Sequence, residues 1–174
     1  MLVGGDAVKL ALAVLLALLT AAPAHAARWQ QKRISVVDYT PGWPIAEAAR
    51  RWSDVTVLSL QTSAASAPYP NGCPPAEGAV AVCLGDFGAS YGLSSTAYVS
   101  GRRGNIVAAR IIINTYGGRD FTDFEKRYLI VHELGHAIAG LPHNDRPTSC
   151  MARGYVNEFP DALDAQAVNA EYGR

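Results

Sequence analysis

His132, Glu133, His136 and His143 are the residues in this chain whose types and spacing point to chemistry. The order His132-Glu133-Leu134-Gly135-His136 places two imidazoles one helical turn apart on one face, close enough to ligate the same Zn2+, with Glu133 beside them to take a proton from water. A catalytic zinc takes three protein ligands and keeps a fourth position open, and His143 is the natural third. His25 falls in an N-terminal processing segment, so every histidine of the remaining chain lies within the twelve residues 132–143. The pattern is that of a metallohydrolase.

These side chains need a rigid helix and a turn that brings the chain back. Thr122 followed by Glu125 is a capping box that starts a helix running to about Ala139, with Phe124, Tyr128, Val131, Gly135 and Ile138 as its apolar face. Gly140 can adopt a left-handed conformation and return His143 towards the metal. Before this helix, Ile106 to Asn114 is a nearly continuous apolar run, as expected of a strand covered on both faces, so three-layer packing is anticipated. Gly117-Gly118 separates the two.

The rest of the chain reads as α/β (α+β). Ile34 to Tyr39 is a strand, and Ile45, Ala48, Ala49 and Trp52 make a helix behind Pro44. Val55 to Leu60 is a second β-prone run, Thr62 to Gly78 a loop, Val80 to Leu84 a third strand and Thr96 to Val99 a short one. Gly85 to Gly92 and Arg102 to Asn105 are turns, and Asp161 to Tyr172 is a terminal amphipathic helix. Neither an internal repeat nor an interdomain linker is present.

The chain has 174 residues, with 15 Lys and Arg against 15 Asp and Glu, so it lacks the basic excess of a nucleic-acid-binding protein. Leu10 to Leu19 behind Lys9, followed by Ala24-His25-Ala26, reads as a signal peptide cleaved after Ala26, and the competing reading is a retained anchor. Residues 27–174 are then one secreted domain, with no stable membrane insertion after the signal is removed. Export permits disulfides, and Cys73 with Cys83 is the preferred pair, although Cys150 remains an alternative partner. Cys150 and Ser149 have no claim as nucleophiles once the three histidines are committed to metal.

Over most of residues 27–174, with specific motifs from His132 onward, the chain resembles the metzincin clan of zinc endopeptidases, and more narrowly its small secreted snapalysin-like and matrixin-like members. Their motif is H-E-x-x-H-x-x-G-x-x-H/D. Here one extra residue precedes Gly140, which a bulge or one more helical position must absorb, and Pro142 occupies the position reached by rigid counting. The resemblance implies a metzincin-like three-layer domain with a mixed twisted sheet, a backing helix, a zinc-binding helix and a C-terminal helix. It implies His132, His136 and His143 as zinc ligands, Glu133 as general base and Met151 as the methionine packed beneath the metal, with Asp145 as fallback ligand. Tyr155, four residues past Met151, is a weaker candidate for an oxyanion donor.

The implied activity is hydrolysis of internal peptide bonds in an extended protein or peptide substrate lying along an edge strand at residues 96–100. The alternative is a secreted binding domain that keeps zinc only to hold its fold. Residues 27–33 leave no room for a propeptide domain, and no inhibitory cysteine motif is recognisable. Any latency is then expected to come from an external protein inhibitor.

Overall fold

A computed structural model describes residues 27–65, 73–74, 76–102, 104–116, 119–154 and 156–173. The expected signal peptide, Gly117-Gly118 and Tyr155 lie outside the described residues. The elements are β1 (Arg33–Asp38), α1 (Ile45–Val55), β2 (Ser59–Ala64), β3 (Ala79–Gly85), β4 (Ser94–Ser100), β5 (Ile106–Asn114), α2 (Asp123–Ala139) and α3 (Ala162–Tyr172), with one 3-10 turn at Ala89–Tyr91. Among the described residues no helix is long and apolar enough to cross a membrane.

The five strands form one mixed sheet in the order β2-β1-β3-β5-β4. β1, β2, β3 and β5 run parallel, and β4 returns antiparallel to β5 along one edge. Alternation divides the central strands between two faces. Val80 and Val82 of β3 and Ala109, Ile111 and Ile113 of β5 enter the main core, together with Leu129, Ile130, Leu134 and Ile138 of α2. Trp52 of α1 is fully buried and donates its indole N–H to Val131 O at 2.8 Å, which ties α1 to α2.

Ala81, Cys83 and Ile112 are buried on the opposite face. There the Cys73–Cys83 disulfide, with Cα atoms 5.4 Å apart, holds the preceding segment against the sheet. Gly78 N also donates to Val107 O at 2.8 Å. This stapled segment covers only part of that face: Arg110 of β5 and Arg33 and Ser35 of β1 are exposed, so the expected burial of β5 on both faces is met only in part. Cys150 is the free, buried cysteine, which resolves the pairing left open by the sequence.

Several expected boundaries shift. Val55 closes α1 and does not begin a strand, and Val55 and Val57 are exposed. β2 extends through Thr62, Ser63 and Ala64, expected as loop, because each pairs with β1 (Val36↔Thr62, Val37↔Ser63, Asp38↔Ala64). β4 begins at Ser94 because Ser94 and Ser95 pair with Ile113 and Ile112. In each case the backbone ladder overrides weak local propensity. Phe124 is exposed, unlike the other four apolar positions expected on its face.

α3 starts with a capping box: the Asp161 carboxylate accepts from Leu163 N and Asp164 N, and Asp164 returns a bond to Asp161 N. Arg146 grips Asp161 with two nitrogens at 3.0 and 3.1 Å. That hydrogen bond, more than the backbone donors, holds the Asp161 carboxyl down at about 2, against an ordinary value of 3.8. Because the folded value is depressed, the stabilisation is present above about pH 4 and is lost as pH falls towards 2. Asp161→Asn should lower the melting temperature at pH 7 and flatten the loss of stability between pH 4 and 2, as read by thermal melts across that window.

Candidate metal centre

α2 carries the first two histidines and ends one position later than an H-E-x-x-H-x-x-G spacing would place it. Ala139 is still helical, and Gly140 takes the left-handed conformation at φ 58°. Gly140 N donates to His136 O at 2.8 Å, the bond of an αL helix cap, and Leu141 N reaches back to Gly135 O at 3.4 Å. The extra residue before Gly140 is therefore absorbed as one more helical position. Leu141 O, delivered by this turn, accepts from His136 Nδ1 at 2.5 Å.

His143 is held by its neighbour. Asn144 N donates to Met151 O at 3.0 Å and Asn144 O accepts from Arg153 N at 3.1 Å, so the segment folds back on itself. The same segment offers Cys150 O to His132 Nδ1 at 2.7 Å and Ala152 O to the Tyr128 hydroxyl at 2.8 Å. Met151 is buried against α2 where Gly135 lacks a side chain: a Cβ there would overlap Met151 Sδ and come within 2.9 Å of Trp52 Cζ2.

Behind this segment, the buried Asp164 carboxylate accepts from Ser149 Oγ at 2.8 Å and Arg146 Nη2 at 2.6 Å. Ser149 Oγ in turn accepts from Met151 N at 2.9 Å. Burial, reinforced by Asp164, pushes the Cys150 thiol up, so it stays protonated and unreactive.

The outcome is three converging nitrogens. Nε2 of His132 lies 2.9 Å from Nε2 of His143 and 3.2 Å from Nε2 of His136, and the remaining pair is 3.2 Å apart. A carbonyl oxygen only accepts, so the Nδ1 atoms of His132 and His136 carry protons, and in the neutral tautomer this selects, each Nε2 holds a bare lone pair. No hydrogen bond can join those two lone pairs; a shared cation can. A point about 2.05 Å from all three nitrogens lies about 1 Å off their plane, inside the metal–imidazole range of about 2.0 to 2.1 Å. The residues fit a divalent metal.

Burial is graded: His132 is buried, His136 half-buried and His143 exposed. Burial, ahead of neighbouring charges, lowers the pKa of His132, and burial followed by proximity to His136 lowers that of His143. Both shifts favour the neutral, ligating form. Asp145, the fallback ligand, is not part of the cluster, which gathers the three histidines alone among the described residues.

Glu133 is buried, and its two carboxylate oxygens take one hydroxyl each: Ser94 Oγ to Oε1 at 2.6 Å and Thr96 Oγ1 to Oε2 at 2.5 Å. Sequence reasoning missed both hydroxyls. Their only signal is the two-residue alternation in β4, which carries information once β4 is known to face α2. A cleft of about 780 Å³ opens over the histidines and Glu133, between Leu93–Thr96 and Tyr98 on one side and Tyr128, Leu129 and Ala152–Gly154 on the other.

The chain matches no protein-family model, and no curated protein is similar enough to count as a relative. Gly135→Ala should cost about 1 to 3 kcal/mol by overpacking Met151 and Trp52. Urea unfolding measures this, and adding Met151→Ala should recover part of the loss.

Proposed function

We propose that this chain is a zinc-dependent endopeptidase, metzincin-like in fold and site, that hydrolyses internal peptide bonds of extracellular proteins. The observation that carries the reading is that Glu133 and three histidines with converging nitrogens line one cleft, together with residues of an edge strand. His132, His136 and His143 would hold the metal. A bound zinc ion would supply Lewis acidity, making water a stronger acid and the scissile carbonyl a better electrophile.

In this reading Glu133 receives a proton from water as its oxygen adds to the carbonyl carbon, then passes it to the departing amine as the C–N bond breaks. The hydroxyls of Ser94 and Thr96 take two of the four lone-pair directions of the carboxylate and leave the others for this proton. β4 pairs only with β5 among the described residues, so its other edge offers backbone N–H and C=O groups to an extended substrate. Secretion through a cleaved N-terminal segment belongs to the same proposal, as does control by an external protein inhibitor.

The rival is a secreted binding domain stabilised by zinc. It draws on the one hydroxyl donor that each Glu133 oxygen has, which also suits a purely structural carboxylate. Glu133→Gln separates the two. The peptidase reading expects zinc stoichiometry and melting temperature to persist while cleavage of an unfolded protein substrate falls by about 100-fold or more. Equal cleavage by wild type and variant, or none by the zinc-loaded wild type, contradicts it.

A further inference from the structure

We infer that Ser94 and Thr96 are positioning residues that fix the plane of the Glu133 carboxylate, an assignment that rests on the peptidase reading. Alternation along β4 sends both hydroxyls to the side facing α2, where Tyr98, two residues further on, comes close to Gly140. The terminal torsion of a glutamate is soft and roughly two-fold, so a carboxylate held at one oxygen still swings. Here each oxygen has its own donor, at 2.6 and 2.5 Å, and the donors come from two positions on one strand. Two anchors define the carboxylate plane where one defines only a pivot.

Thr96 carries a single hydroxyl proton and has two acceptors in reach, Glu133 Oε2 at 2.5 Å and the Glu133 carbonyl at 3.1 Å. The nearer and charged acceptor takes it. The brace is made of neutral donors, and among the described residues no arginine or lysine pairs with Glu133. The hydroxyls thus orient the carboxylate without cancelling its charge. Because β4 is also the edge offered to an extended substrate, seating the substrate and aiming the base depend on one stretch of backbone.

The test uses Ser94→Ala, the near-isosteric Thr96→Val and the hydroxyl-retaining Thr96→Ser in the full mature chain, with a quenched fluorescent peptide as substrate. Ser94→Ala and Thr96→Val should each lower kcat about tenfold or more with KM and zinc stoichiometry unchanged, and Thr96→Ser should recover most of the loss. In the metal-free protein, urea unfolding of Thr96→Val, Glu133→Gln and the double variant should show an unfolding constant that departs about tenfold from the product of the single effects.

Unchanged kcat in both hydroxyl deletions, a rise in KM alone, or multiplicative unfolding effects overturn the assignment. If the unfolding coupling is present but zinc-loaded wild type cleaves nothing, the peptidase reading fails and the positioning role falls with it. If wild type cleaves, Glu133→Gln does not, and the hydroxyl deletions match wild type, only the positioning role fails.

Discussion

Three imidazole nitrogens brought to within about 3 Å of one another are the constraint around which the described structure is arranged. With Nδ1 of His132 and His136 donating to carbonyls, their Nε2 atoms cannot bond to each other, so this approach must be enforced by the surrounding protein. His136 is held by the Gly140 turn, through Leu141 O, and His132 by Cys150 O. His143 follows from Asn144, whose backbone pairs with Met151 and Arg153. All three restraints converge on residues 140–153, a stretch with little regular structure of its own. That stretch is held in turn by Met151 in the notch of Gly135 and by the Asp164–Ser149–Arg146 network at the start of α3. The terminal helix is thereby joined to the metal centre through a buried carboxylate.

The sheet has a complementary part. Its central strand β3 is buried on both faces, and the sheet's core face gives a base for α2, while β4 turns antiparallel at the edge and lines the cleft with short polar side chains. The balanced formal charge suits this division, since the groups of the candidate site are concentrated in one cleft. Burial lowers the pKa of His132 and favours its neutral form, whereas the exposed His143 leaves the site open on one side.

Features carried by local chemistry were legible in the sequence. The Thr122–Glu125 capping box, the glycine at the end of α2, the histidine spacing and the Cys73–Cys83 pairing each depend on a few neighbouring residues, and each appears where expected. Features that depend on which elements touch were not. Thr62 to Ala64 became strand only because β1 lies beside them, and Ser94 gained its partner only because β4 crosses α2. Asp164 looks like an ordinary helix residue until Ser149 and Arg146 are folded over it. The extra residue before Gly140 left two outcomes open in sequence, and the hydrogen bonds at the end of α2 select the longer helix.

The central claim is that His132, His136 and His143 form an open three-nitrogen metal site. X-ray absorption at the zinc edge, on protein loaded with one equivalent of zinc, tests it most directly. The account predicts three imidazole nitrogens at about 2.0 to 2.1 Å and one exchangeable oxygen. A sulfur or a fourth protein side chain in the coordination sphere, or failure to retain one equivalent of zinc, would contradict it.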